Sequence, residues 1–297
     1  MKQNKTAHIT DVISNFYTEG EISGSEPYGS GHINETFYLK NSNEKCPDYL
    51  LQRINHHVFK DIPALMENIR IVTKHLRKKL EKVYGARADK EVLTLVQTRD
   101  KEFFHCDQDG NYWRMYHFLH TNSYDLVQTE QQAYEGGKAF GKFQALLADL
   151  DAKLLAETVP NFHNIEIRLN HFNETIQADA VNRVKEVTPE IAFIRERMDA
   201  MNEVLTLGKS GRLPLRITHN DTKFNNVLLD KNDNAQCVID LDTVMPGYVA
   251  YDFGDAIRTI INTAAEDEKD LEKIQLNIPL FKAYTKAYFK EAGCFLT

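Results

Sequence analysis

The sequence predicts an α+β protein in two lobes. The N-terminal lobe is built on a five-stranded antiparallel sheet with a helix, and the C-terminal lobe is mainly helical with a short β-hairpin. Three observations carry this. Short runs rich in aromatic and β-branched residues crowd the first 118 residues, broken by one long helical period. From residue 119 apolar residues recur mainly at three- and four-residue spacings. Inside that helical half, residues 217–242 (ITHNDTKFNNVLLDKNDNAQCVIDLD) read instead as a strand end, a polar loop, a short hairpin and an acidic turn. The lobes are accordingly placed at residues 1–118 and 119–297.

Taken in order, residues 8–19 predict a short amphipathic helix with Ile9, Val12, Ile13 and Phe16 on one stripe. Gly29 and Gly31 then sit between two strand-like stretches, the second over residues 33–40. A glycine turn there lets backbone N–H groups approach phosphate oxygens, although paired glycines alone say only "hairpin". Residues 49–54 (YLLQRI) read as a buried strand in which Arg53 shares a face with Leu51 and Tyr49. Asp61 is a natural N-cap for the next helix, with Pro63 in its first turn. Leu65, Ile69, Val72, Leu76, Leu80 and Val83 mark its core face. Glu67 lies in its first turns, where it can pair with Arg53 across a cleft and leave the arginine aimed at nucleotide phosphates. The basic run over residues 74–90 is interleaved with the apolar stripe and reads as a solvated helix face. Residues 92–98 and 111–118 predict two further strands around the turn at Asp109-Gly110.

In the second lobe a helix is expected over residues 129–150, with Tyr134, Phe140, Phe143 and Leu147 buried and Gly136, Gly137 and Gly141 admitting a close neighbour. Another begins at Thr188-Pro189-Glu190, with Ile191, Ile194, Met198, Met201 and Leu205 as its stripe. Residues 252–263 and 279–293 read as helices. The chain stops at GCFLT directly after a helical pattern, so the C-terminal lobe is expected to continue past residue 297 in the natural protein.

With 42% hydrophobic and 27% charged residues the chain is of ordinary globular composition, and a net charge of −7 disfavours nucleic acid without disfavouring a nucleotide. Cys46, Cys106, Cys237 and Cys294 show no metal-ligand spacing and are expected as isolated buried thiols in a reducing compartment. No signal peptide or membrane-spanning run is evident, so a cytoplasmic protein without membrane or nucleic-acid partners is expected, a monomer being favoured.

The chemistry concentrates in residues 217–242. Asp221, in a loop after a strand, can orient an acceptor hydroxyl and take its proton. Asn226 offers an amide oxygen to Mg²⁺, and Asp240, 19 residues past Asp221 at the end of an apolar strand, offers a carboxylate. Lys223 places positive charge where a γ-phosphate gathers negative charge. His219 is better suited to ordering the loop, and Asp242 to supporting the metal site. The spacing H-x-D-x-K-x-x-N followed by a strand ending in Asp points to phosphoryl transfer from Mg²⁺–ATP. A literal DFG at residues 252–254 begins a helical pattern, so Asp252 is expected to brace the loop through backbone N–H groups.

These residues resemble the aminoglycoside phosphotransferase and choline kinase superfamily, relatives of the protein kinases. HNDTKFNNV is similar to its catalytic loop and VIDLD to its metal-binding strand. YGSGHIN, LLQRIN, VFKDI, LMENI and IDLDTVMPGYVAYDFGDAIR resemble the N-acetylhexosamine 1-kinase branch, over residues 22–288. The resemblance implies a protein-kinase-like fold and ATP- and Mg²⁺-dependent phosphorylation of the anomeric hydroxyl of N-acetylglucosamine or N-acetylgalactosamine. It implies Asp221 as base, Asn226 and Asp240 as metal ligands, and Arg53 in place of the usual strand lysine, as in choline-kinase-like members. His32, Asn34, Asp242, Tyr251 and Arg258 are the residues expected to contact the sugar. Within the same superfamily the acceptor alternatives are methylthioribose, homoserine, choline and an aminoglycoside. A sulfatase is excluded because Ser25-Glu26-Pro27-Tyr28-Gly29 lacks the arginine of C/S-x-P-x-R. A pseudokinase is disfavoured because Asp221, Asn226 and Asp240 are all present.

Overall fold

The computed structural model describes residues 2–29, 33–262, 264 and 268–296, with side chains from residue 8 onward. Helix α1 (Lys2–Ser14) leads into strands β1 (Ile22–Pro27), β2 (Glu35–Asn41) and β3 (Tyr49–Ile54), then helix α2 (Ile62–Tyr84). Strands β4 (His105–Cys106) and β5 (Tyr112–His117) complete an antiparallel sheet in the order β1-β2-β3-β5-β4. Helices α3 (Glu130–Leu147), α4 (Ile165–Ala178), α5 (Thr188–Arg195) and α6 (Met198–Lys209) follow. Strand β6 (Arg216–Thr218) pairs with β9 (Met245–Gly247), and between them β7 (Val227–Leu229) pairs with β8 (Ala235–Val238). Helices α7 (Val249–Ile260) and α8 (Ile278–Ala292) close the described chain.

Side-chain alternation gives the first sheet two working faces. Phe37, Leu39, Tyr49, Leu51, Trp113 and Met115 pack with Ile9, Val12 and Phe16, so α1 covers that face. The neighbours of these residues along each strand, including Thr36, Gln52 and Arg114, lie on the face turned to the second lobe. Helix α2 joins the lobes: Asp61 caps it by accepting from Ala64 N, and Ile62, Leu65, Ile69, Val72, Leu76 and Leu80 are buried. Its core face ends there, since the expected Val83 is 71% exposed. Asn68, on its buried side, donates to the carbonyls of Ala156 (2.8 Å) and Val244 (3.1 Å) and accepts from Ala156 N (2.9 Å), fastening the helix to the second lobe.

Three expectations are corrected. Residues 92–98 form no strand. Leu95 and Thr98 make only isolated bridges, and the hairpin partner of β5 across Asp109-Gly110 is His105–Cys106. Consecutive burial of Val92 and Leu93 breaks the period of two that a half-buried strand needs. The single helix expected from Thr188 is two, α5 and α6. Only Ile191 of its stripe is buried; Ile194, Met198 and Leu205 are half-buried and Met201 is 41% exposed. The cysteines are free, but only Cys237 is buried; Cys106 and Cys294 are exposed.

Helix α3 starts at a capping box between Thr129 and Gln132 and packs along α8. The glycines on α3 set that spacing. A Cβ on Gly137 would lie 2.2 Å from the Tyr284 carbonyl oxygen, and one on Gly141 would lie 2.7 Å from that of Tyr288. Backbone cannot step aside as a side chain can, so Gly137→Ala is expected to destabilise the protein by about 1–3 kcal/mol. Urea denaturation checks this; an unchanged midpoint would contradict the close packing of α3 on α8.

Candidate active site

The loop between β6 and β7 is held from below by α7 and α3. Asp252, buried in the first turns of α7, accepts from the backbone N–H of His219 (2.8 Å) and of Asn220 (2.7 Å) and from Gln144 Nε2. Burial pushes the Asp252 pKa upward, and these donors with nearby His219 oppose the rise. Thr222 ties the next turn down: its hydroxyl donates to Asp252 O (2.7 Å) and its N–H to Asp255 Oδ2 (2.8 Å). The His219 ring packs edge-on against Phe140 and Phe143. Its Nδ1 accepts from Asp221 N (3.3 Å), which leaves Nε2 to donate to Ile239 O at 2.9 Å. His219 thereby fixes the loop to the segment that delivers Asp240.

Asp221 emerges from this frame with its side chain 31% exposed. Asn226 Nδ2 donates to its carbonyl oxygen (2.9 Å) and to Oδ2 (3.2 Å), and Lys223 Nζ stands 3.8 Å from Oδ1. Because the amide nitrogen of Asn226 is spent on Asp221, its Oδ1 is the atom left to face elsewhere. Ile239 N donates to Asn226 O at 2.9 Å, so the β7–β8 pairing sets Asn226 beside the approach to Asp240. Asp240 has left-handed backbone angles (φ 58°, ψ 62°). Burial, reinforced by neighbouring Asp242 and opposed by Arg114, pushes its pKa up to about 6. A carboxylate so placed gains from a nearby cation, and an amide oxygen with one carboxylate suits a hard ion that keeps water and phosphate oxygens as its other ligands. The donor set therefore fits Mg²⁺. Among the described residues there is no group of three or more His, Cys, Asp or Glu able to hold a metal ion.

Other expected site residues are placed differently. Arg53 and Glu67 are not brought together: Arg53 pairs with Glu35 (2.8 Å) and donates to Asn111 (3.1 Å), while Glu67 forms a two-point pair with Arg70 on its own helix. The reason is the pleat. Arg53 lies opposite Glu35 and Trp113, on the face of the sheet that packs with α1, so its expected pairing with Glu67 is corrected. On β3 the residues facing the second lobe are Leu50 and Gln52. Asp242 and Asn34, expected as sugar contacts, are committed to each other: Asn34 Nδ2 donates to Asp242 Oδ2 at 2.7 Å, and Asp242 is 3% exposed. Its carboxylate also receives both terminal nitrogens of buried Arg114. Tyr251 stacks on His163 (centroids 4.9 Å apart), and Arg258 pairs with Asp255 (2.8 Å) beside Thr222. Gly29, just past β1, has φ +79°. Gly31 and His32 lie outside the described residues.

Sequence reasoning missed Arg114, Gln52 and His163. The signal for Arg114 was present, since an arginine inside the apolar run YWRMYHFL demands a buried partner. His163 carried none.

The sequence matches the phosphotransferase enzyme family over residues 25–287. Three solved structures are similar in fold. An aminoglycoside phosphotransferase from Alicyclobacillus acidocaldarius has a TM-score of 0.63 at 14% identity, over 95% of this chain and 76% of that one. Amicoumacin kinase hAmiN, solved with AMP-PNP, Ca²⁺ and Ami, has a TM-score of 0.58 at 12% identity, over 98% and 80%. An ethanolamine kinase from Plasmodium vivax has a TM-score of 0.52 at 16% identity, over 92% and 72%. The family match runs from the first strands of the sheet through the Asp221 loop and into α8, and on that extent the chain belongs to the phosphotransferase enzyme family, with a protein-kinase-like fold.

Proposed function

We propose that this protein is an ATP- and Mg²⁺-dependent kinase that phosphorylates the anomeric hydroxyl of N-acetylglucosamine or N-acetylgalactosamine, giving the sugar 1-phosphate and ADP. The observation that carries the reaction is the setting of Asp221: a half-buried carboxylate on a braced loop, held by Asn226 with Lys223 alongside. Asp221 takes the proton of the acceptor hydroxyl as its oxygen bonds to the γ-phosphorus and the bond from that phosphorus to the β-phosphate oxygen breaks. Lys223 offsets charge on the transferring group. Asn226 and Asp240 would hold Mg²⁺, which supplies charge neutralisation on the phosphates. Gly29 and Gly31 would let backbone N–H groups approach the nucleotide phosphates. A single chain supplies every group named, so a monomer suffices, and ATP as donor with four free cysteines suits a cytoplasmic setting.

For the acceptor, support comes from the resemblance of residues 239–258 to the N-acetylhexosamine 1-kinases and from the state of the α7 carboxylates. Asp252 is spent on the loop, and Asp255 on Thr222 and Arg258. Neither is left to neutralise a cationic amine, which favours an uncharged acceptor over choline or an aminoglycoside. Tyr251 and Arg258, both on α7, and His32 are the residues proposed for the sugar.

The test is an ADP-release assay over N-acetylhexosamines, methylthioribose, homoserine, choline and aminoglycosides, with the product characterised. Mg²⁺-dependent turnover of an N-acetylhexosamine to its 1-phosphate is expected. A clear preference for another member of the panel would replace the acceptor while leaving the reaction in place.

A further inference from the structure

We propose that Arg114 is a positioning residue for phosphoryl transfer, holding the acidic turn of residues 240–242 against the first lobe and so setting the Asp240 carboxylate for the metal. This rests on the reading of Asp240 as a metal ligand.

Arg114 sits mid-strand on β5, on the face turned to the second lobe, and is 1% exposed. Its two terminal nitrogens engage the two oxygens of Asp242, Nη2 to Oδ2 at 2.9 Å, and its Nε donates to Gln52 Oε1 at 3.0 Å. The guanidinium lies over the Tyr116 ring, 5.4 Å from its centroid. The fork is thus matched to a carboxylate rather than opened toward a cleft. Asp242 is tied from other directions too: Asn34 Nδ2 donates to Oδ2, and Thr158 Oγ1 donates to the Asp242 carbonyl at 2.8 Å. Asn34 in turn accepts from Asn55 N at 3.0 Å. Residues of β5, of the segment before β2 and of the segment before α4 all converge on this one aspartate.

What they hold is a strained turn. Asp240 carries left-handed backbone angles at a residue with a Cβ, which persist only where surroundings over-determine them. The single 3-10 turn over residues 241–243 starts there, and Asp242 is its anchor. Among the described residues, the bidentate Arg114 pair is the one charge-assisted, two-point tie to Asp242, and it comes from the opposite lobe. Rotating that carboxylate would rotate the turn and with it Asp240. Arg114 therefore acts on the metal through Asp242, in the manner of outer-shell partners that orient a ligand.

The experiment compares Arg114→Lys, Asp240→Asn and the double variant Arg114→Met/Asp242→Leu with the wild type. It measures kcat and the Mg²⁺ concentration giving half-maximal rate, alongside melting temperature and nucleotide affinity without metal. Lysine keeps the charge but loses the fork. Arg114→Lys is expected to raise the Mg²⁺ half-saturation about 10–100-fold, with metal-free nucleotide affinity unchanged. The double variant replaces a buried ion pair by apolar groups, a change that commonly preserves stability; it is expected to stay folded yet show the same Mg²⁺ defect. Wild-type Mg²⁺ dependence in Arg114→Lys, or its recovery in the folded double variant, would overturn the proposal and leave Arg114 a structural residue. Wild-type Mg²⁺ dependence in Asp240→Asn would overturn the ligand assignment itself, a distinct outcome.

Discussion

Replacing Asp221 by asparagine is expected to lower turnover by about 10²–10⁴-fold, the usual cost of removing a general base. The variant isolates the chemistry because it is nearly isosteric and disturbs little else. The side chain is 31% exposed, so its charge contributes little to folding. The bond from Asn226 Nδ2 to the Asp221 backbone oxygen at 2.9 Å does not involve the carboxylate and survives, so Asn226 keeps its orientation. The contact with Lys223 is already long at 3.8 Å and partly solvated, and its loss is a minor effect. Nucleotide affinity, measured by calorimetry with Mg²⁺ present, should therefore be retained while kcat collapses. Turnover near the wild-type rate would remove Asp221 from the role of base. A parallel loss of nucleotide affinity would instead show the residue to be part of the binding site.

How much of this site was legible in the sequence depends on how local each relation is. Asp221, Lys223 and Asn226 lie within one loop, and five residues of chain leave few ways to arrange them. Asp252 was legible as a brace because it opens a helix, where a carboxylate naturally accepts backbone N–H groups from the adjacent loop. The failures are all relations between distant segments. Period-two alternation put Arg53 on the same face as Leu51 and Tyr49, and that is its face. Alternation does not say which face looks across the cleft; that face packs with α1, and the carboxylate within reach of Arg53 there is Glu35, not Glu67. Glu67 has Arg70 three residues away, and a neighbour on the same helix wins over a partner across a gap. Arg114 and Asp242 are 128 residues apart and become partners only once the lobes are docked. The same docking withdraws Asn34 and Asp242 from solvent. The sheet was recovered in number and sense, but its edge strand was misassigned because two residues of β4 carry almost no pattern.

Asp252→Asn is expected to be the most destabilising conservative change in the second lobe, and to reduce turnover although Asp252 touches no reacting group. Every partner of this carboxylate is a donor: His219 N and Gln144 Nε2 to Oδ2, Asn220 N to Oδ1. Asparagine offers one acceptor oxygen and one donor nitrogen, so in either orientation an N–H faces an N–H in a site that is 1% exposed. A buried donor left without an acceptor costs about 1–3 kcal/mol, and at least one is created here. The strain falls on His219 and Asn220, whose N–H groups set the path of the chain into Asp221, so kcat should fall together with stability. The adjacent Gly254 provides the contrast. Nothing lies within 4 Å of a Cβ built there, and it sits inside α7. Gly254→Ala should therefore leave turnover intact and raise stability by about 0.5–1 kcal/mol through helix propensity. Urea denaturation and steady-state kinetics on the two variants separate a brace from a Mg²⁺-binding DFG. If residues 252–254 formed the latter, the glycine would be the sensitive position and Mg²⁺ half-saturation would move in Asp252→Asn. If Asp252 is a brace, stability moves in Asp252→Asn and Mg²⁺ half-saturation holds.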